Sequence, residues 1–298
     1  MSTLDKLNYL MQTKDLIKAA IIAKGVSVTD ADTFRSYAAK IQSIEGSGGS
    51  GNVKPSPIYK PLDFLSTVLD ENDCTNPYKY ACLITDRDDA YTWSASNGDL
   101  NSKFYFSDGG TAQGDNVSHT WDKTQDLDYG LDGIYRWLIV TRSNAAGYLK
   151  IPSNVLAVVT RCNIASASVV KQAGALQAIR FENGAKWTTA SLNYAGFYGC
   201  GALRFVEGLD LSNVTNLTSA FSNATGLTIL SSVSNIKTGI DLGSCTQLTK
   251  ASVINIINVL VDRTDDTSLT CRLSNASYNL LNEQEIAIAT NKNWSIIK

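Results

Sequence analysis

One short phrase recurs four times between Ala173 and Leu248, and it constrains what this chain can fold into more than any other feature. The copies are Ala173-Gly-Ala-Leu176, Cys200-Gly-Ala-Leu203, Ala224-Thr-Gly-Leu227 and Cys245-Thr-Gln-Leu248, spaced by 27, 24 and 21 residues. After the leucine, the first three copies continue with one variable and two apolar positions: Ala178 and Ile179, Phe205 and Val206, Ile229 and Leu230. Phe197 and Phe221 stand three residues before the small residue of their copies. A period of about 20 to 30 residues, with a leucine-centred strand and small residues at the turns, is the signature of a stacked repeat. Each turn of such a stack exposes an apolar face that only its neighbour can cover. The spacing therefore predicts a repeat solenoid with a helical cap over 148–298.

At 298 residues the chain is long enough for about two domains of roughly 150 residues each. Charged residues are 18% and the formal net charge is -2, so the basic footprint of a nucleic-acid-binding protein is missing and nucleic acid is not an expected partner. No apolar run approaches the roughly 18 residues of a membrane span, and membrane insertion is not expected. The first residues carry charges early and lack an apolar stretch followed by a cleavage site, so no secretory signal is read there. The six cysteines show no Cys-x-x-Cys spacing, and His119 is the single histidine, which argues against a metal site of the usual ligand spacing. No cofactor motif occurs. Cys200 and Cys245 occupy equivalent positions of the repeated phrase and read as small buried plugs with free thiols.

Residues 1–45 read as a helical hairpin. Leu4, Leu7, Leu10 and Met11, then Ile17, Ala20 and Ile21, recur on one helical face until Gly25, and Phe34, Tyr37, Ala38 and Ile41 form the stripe of a second helix. Two short helices bury little by themselves, so Leu4, Leu7, Ile17, Ile21, Phe34, Tyr37 and Ile41 are candidates for attachment or oligomerisation. Residues 46–61 follow as a linker, flexible through Gly46-Ser-Gly-Gly-Ser-Gly51 and then stiffened by Pro55, Pro57 and Pro61. The run Lys14-Asp-Leu-Ile-Lys-Ala-Ala-Ile-Ile-Ala-Lys-Gly-Val-Ser-Val28, with Asp32-Thr-Phe-Arg-Ser-Tyr-Ala-Ala-Lys-Ile41, resembles a small N-terminal module of tailed-phage fibre and tail proteins. That resemblance implies a virion-anchoring or oligomerising segment.

Residues 62–147 read as a small antiparallel β domain or a β-rich cap on the solenoid. A short helix is expected over 64–69, and strands over 80–84, 90–93, 103–106, 117–121 and 135–141, separated by Gly, Asn and Asp clusters. Trp93, Trp121 and Trp137 lie among acidic loops such as Asp86-Arg-Asp-Asp89. A pyranose stacks its apolar face on a ring while carboxylates and amides pair its hydroxyls, so Trp93, Trp121 and Asp122 are the candidate carbohydrate or receptor contacts. The competing reading is that these tryptophans are core.

Within the repeats, Leu209-Asp-Leu-Ser-Asn-Val-Thr-Asn-Leu-Thr-Ser-Ala-Phe221 resembles the BspA-like leucine-rich repeats, which implies inward leucines and asparagines that satisfy turn backbone. After Leu248 the chain runs into Thr-Lys-Ala instead of a strand, read as the end of the array. Val253, Ile256, Ile257 and Leu260 then form the face of a capping helix, and Asn282 with Glu285 reads as a capping box. Trp294 and Ile296 are expected to pack back on the last turn.

Catalysis is not expected. His119 and its neighbour Ser118 would point to opposite faces of a strand, so they make no nucleophile–base pair. The carboxylates Asp86, Asp88, Asp89, Asp122 and Asp126 fix no pair for glycoside hydrolysis. The expectation is a multidomain, mainly β, non-enzymatic phage virion protein that binds host-surface glycan or protein, forms homo-oligomers and contacts other virion proteins. The alternatives are a bacterial BspA-like surface adhesin and a glycan depolymerase.

Overall fold

A helix stands where the proline-rich spacer was expected to end: α1 spans Tyr59–Glu71, with Pro61 in its first turn. Proline is tolerated there because the first N–H groups of a helix have no partner within it. The linker expected over 46–61 thus yields its last three residues to a helix longer than the 64–69 predicted. Leu62, Leu65 and Leu69, at three- and four-residue spacing, are fully buried. The computed structural model describes residues 59–71, 78–85, 92–96, 100–114, 116–121, 135–142, 146–147, 154–166, 170 and 172–298, all within the unit Ile58–Lys298. The hairpin predicted over 1–45, with Leu4, Leu7, Ile17, Ile21, Phe34, Tyr37 and Ile41, lies outside the described residues.

The described part is mainly β. Its strands are β1 (Lys79–Thr85), β2 (Thr92–Ser96), β3 (Lys103–Phe106), β4 (Thr111–Gln113), β5 (Asn116–Thr120), β6 (Tyr135–Thr141), β7 (Ala146–Gly147), β8 (Val155–Thr160), β9 (Asn163–Ile164), β10 (Ala178–Phe181), β11 (Phe205–Glu207), β12 (Ile229–Ser231), β13 (Ile240–Leu242), β14 (Leu269–Leu273) and β15 (Trp294–Ile297). Eight of them form one mixed sheet in the order β12-β11-β10-β8-β1-β6-β3-β4. β1 pairs antiparallel with both β6 and β8, so this sheet runs across the boundary expected at 147/148. From β8 onward the pairing is parallel, and Val158, Ile179, Val206 and Leu230 stand in register as one fully buried row. Parallel strands covered on both faces read as near-continuous apolar runs, as Val155-Leu-Ala-Val-Val159 does.

α1 covers one face of the sheet, packing Leu62, Leu65 and Leu69 with Leu83, Ile139 and Phe205. Its aspartates also reach the arginines of the sheet, which are paired in turn with neighbouring glutamates. Arg161 pairs with Asp70 at 2.7 Å and with Glu182 at 2.9 Å, and Arg180 pairs with Asp63 at 2.9 Å and Glu207 at 2.8 Å. Burial disfavours both guanidinium charges, but the paired carboxylates outweigh it and hold them above the ordinary arginine value.

Two further columns of parallel pairing accompany the β8–β10–β11–β12 ladder. One runs through the bridges Ile164 to Trp187, Lys186 to Asp210 and Asp210 to Ser234. The other runs from Ser191 to Asn216 and from Leu217 to Ile240, and then through β13, β14 and β15. The repeated phrase makes the turns between them. In each copy the small residue donates its N–H to the carbonyl three positions earlier: Ala173 to Val170 at 3.1 Å, Cys200 to Phe197 at 3.2 Å, Ala224 to Phe221 at 3.1 Å and Cys245 to Leu242 at 2.9 Å. The residues before the first three, Gln172, Gly199 and Asn223, all have positive φ.

The thiols do more than fill space. Cys200 Sγ donates to Val170 O at 3.0 Å and Cys245 Sγ to Phe221 O at 3.8 Å, each reaching the carbonyl that precedes the small residue of the previous copy by three positions. Cys82, Cys162, Cys200, Cys245 and Cys271 are all free and buried. Burial pushes the Cys162, Cys245 and Cys271 thiols up to about 12, which leaves them inert as nucleophiles.

The array does not end at Leu248 in every column. In the first, the helix α2 (Lys250–Val259) replaces the next strand, and Ser252 Oγ accepts the Leu230 N–H at 3.1 Å, which occupies the edge of β12. Val253, Ile256, Ile257 and Leu260 are buried as the helical spacing requires. In the third column the parallel pairing continues for two more strands, because Leu269-Thr-Cys-Arg-Leu273 and Trp294-Ser-Ile-Ile297 alternate inward and outward. Between these strands lie α3 (Asn275–Tyr278) and α4 (Glu283–Thr290). The capping box of α4 is made in both directions, Glu285 N–H to Asn282 Oδ1 at 2.9 Å and Asn282 N–H to Glu285 Oε2 at 2.8 Å. No helix among the described residues is long and apolar enough to cross a membrane.

Candidate functional site

Strand alternation decides the fate of the aromatic cluster near His119. In β5 and the residue after it, Val117 and Trp121 are buried and His119 is partly covered, while Ser118 and Thr120 face solvent. His119 lies flat on Phe106, with ring centroids 3.7 Å apart and planes 11° apart, and the Trp121 ring meets it edge-on at 5.0 Å. His119 Nε2 and Asp108 Oδ2 are 2.7 Å apart. The other Asp108 oxygen accepts the Gly110 N–H at 3.0 Å, and Trp121 Nε1 donates to Ser107 Oγ at 3.2 Å. The imidazole, the carboxylate and the indole thus fasten the 107–110 loop onto β5.

Trp121 is only 2% exposed, so its ring is core and offers no face to a sugar. This corrects the expectation of a stacking platform there. The physical reason is the period of two, which turns residues 117, 119 and 121 to one side. Trp93 lies in β2 opposite His119. Its side chain and Asp122 lie outside the described residues, as do Asp86, Asp88, Asp89 and Asp126. Among the described residues no group of three or more His, Cys, Asp or Glu is placed to hold a metal ion.

A second surface, on the repeats, presents different chemistry. The stretches 187–203 and 211–236 contain no Asp, Glu, Lys or Arg. Their outward positions carry Ser191, Asn193, Tyr194, Thr215, Thr218 and Asn223, all exposed. Backbone groups are spent on holding one copy to the next: the N–H of Leu192 bonds Asn216 O at 2.8 Å, that of Tyr194 bonds Thr218 O at 3.2 Å and that of Gly199 bonds Ser222 O at 2.8 Å. Some side chains join in: Thr215 Oγ1 donates to Ala190 O at 3.2 Å and Ser191 Oγ accepts the Asn193 N–H at 3.4 Å.

Tyr194 stands out on this surface. Its φ is +47°, and Ser219, 25 residues later in the next copy, has φ +56°. The turn therefore demands a left-handed residue, for which Gly and Asn are the ordinary choices and a bulky side chain is disfavoured. Tyr194 does not recover that cost by burial, since it remains 56% exposed. The Tyr198 ring lies beside it, centroids 5.8 Å apart and planes 65° apart. Tyr198 O accepts the N–H of Gln172, an exposed residue of the preceding copy. Periodicity missed both tyrosines because it searches for inward positions. The available signal was two aromatic residues at positions where the next copy has Ser219 and Ser222.

Asp210 is an acidic side chain that bridges the repeats nearby. It accepts from Ser212 N at 2.8 Å and Asn235 Nδ2 at 2.9 Å, with Lys186 Nζ 3.8 Å away. Burial raises its carboxyl, but these hydrogen bonds and the lysine outweigh burial and hold it below the usual aspartate value. Its role is to tie turns together. No family model, curated protein or solved structure matches the chain.

Proposed function

We propose that the chain is a non-enzymatic structural protein of a phage virion, in which residues 1–45 attach or oligomerise and the repeats form a leucine-rich-repeat-like solenoid that binds the host cell surface. The observation that carries this reading is the repeat surface between Trp187 and Ile236, neutral in both long stretches and rich in outward hydroxyls and amides, with Tyr194 exposed upon it. Such a surface suits ligands that are themselves rich in hydroxyl groups. An oligomer would multiply several weak contacts into firm attachment. His119 and Asp108 are engaged in fastening a loop, which speaks against hydrolysis at that place.

The test is retention of the full chain on immobilised bacterial envelope polysaccharides, with new reducing ends assayed in the same samples. Retention without new reducing ends is the expected outcome. Retention with steady release of reducing ends would replace this reading with a depolymerase, and retention on none of a broad set of envelopes would overturn it.

A further inference from the structure

We infer that Tyr194 and Tyr198 form a stacking site for an uncharged pyranose of a surface glycan, flanked by the polar side chains of Asn193, Thr218 and Gln172; this rests on the surface-binding reading above. Three observations converge on it. Tyr194 is kept at a left-handed position, φ +47°, where a large side chain is unfavourable, and it is 56% exposed, so neither backbone nor core accounts for it. The Tyr198 ring sits 5.8 Å away at 65°, so the two rings meet edge to face beside one another. The surroundings are amide and hydroxyl, with no charged residue in 187–203 or 211–236.

The chemistry then selects the ligand. A sugar ring turns its C–H face to an aromatic ring and its hydroxyls outward, where donors and acceptors of the amide and hydroxyl type replace water. An anionic sugar would call for a guanidinium or ammonium group, and neither neutral stretch supplies one. Lys171, next to Gln172 in sequence, lies outside the described residues.

Tyr194→Gly is the informative variant. It removes the ring and gives the turn a residue that adopts positive φ without strain, so the fold is kept or stabilised and lost binding is not lost folding. The full chain is assayed on an envelope fraction that retains the wild type, after periodate or protease treatment of that fraction, and at low and high salt. Periodate should abolish retention where the bound sugar carries the vicinal diols it cleaves, which a 3-linked pyranose lacks, and protease should leave retention intact. High salt should leave it intact, because an uncharged contact is not screened. Tyr194→Gly should weaken retention about tenfold or more while the thermal midpoint holds or rises, and Tyr194→Trp should bind at least as well as the wild type. Retention that protease abolishes, that disappears in high salt or that is unchanged in Tyr194→Gly would overturn this site while leaving surface binding intact. A wild-type chain retained by no envelope at all would overturn the surface-binding reading itself.

Discussion

Replacing Gly208 with alanine should lower the stability of the full chain by about 3 kcal/mol, as the sum of backbone strain and overpacking. Gly208 follows β11 with φ +74°, and its N–H bonds Ser231 O of the next copy at 3.1 Å. A Cβ placed on it would lie 2.2 Å from Phe181 O, a backbone atom of the previous copy. There is no flexible side chain to move aside, so one copy must shift against another. Gly184 supplies the control. It has nearly the same conformation, φ +75°, but nothing lies within 4 Å of its would-be Cβ. Gly184→Ala should therefore cost only about 1 kcal/mol, the backbone contribution alone. Urea unfolding reads both, as a fall in midpoint at unchanged slope. Equal effects at the two positions would contradict the close approach of successive copies at Gly208.

Trp187→Ala should be more damaging, at about 3 to 5 kcal/mol for the loss of a large buried aromatic side chain. The ring is fully buried between Phe181 at 5.4 Å and Phe197 at 5.2 Å, and Phe197 continues the row to Phe221 at 5.3 Å. Its indole N–H donates to Ser166 O at 3.2 Å. Trp187→Phe retains much of the volume and deletes that donor, so a smaller loss of about 1 to 2 kcal/mol is expected. Unfolding midpoints of the two variants separate packing from hydrogen bonding. A mild effect of Trp187→Ala would mean that this aromatic row does not support the repeats.

How much of this was legible in the residues differs from one part of the chain to another. The leucines of the repeated phrase, the buried row from Val158 to Leu230 and the helical face of Val253, Ile256, Ile257 and Leu260 all follow from inward periodicity, because burial is what a repeated apolar position records. The capping box at Asn282 and Glu285 was legible for another reason: its two hydrogen bonds require those residue types at that spacing. The continuation of the third column through β14 and β15 was not legible, since the repeated phrase is absent there and only four- and five-residue alternations mark the strands. Nor was the joining of β1 to β8, a pairing between residues more than 70 positions apart that no local pattern specifies.

The site was harder still. Trp121 looked like a platform because sequence cannot tell an aromatic that faces a ligand from one that faces Phe106 and His119. Tyr194 gave no periodic signal in the sequence, since its positive φ and exposed ring both depend on how the turn closes. Outward-facing residues leave no periodic trace. The turns of the repeats set this aromatic pair beside stretches without charged residues.

Amide hydrogen exchange of the full chain, with and without the envelope polysaccharide that retains it, tests the central claim most directly. If recognition lies on the repeat surface, bound polysaccharide should slow exchange in peptides covering 190–199 and 215–225, which hold Tyr194, Tyr198 and Thr218, and leave those covering 103–121 unchanged. Slowing confined to the 103–121 region, around Asp108 and His119, would contradict it.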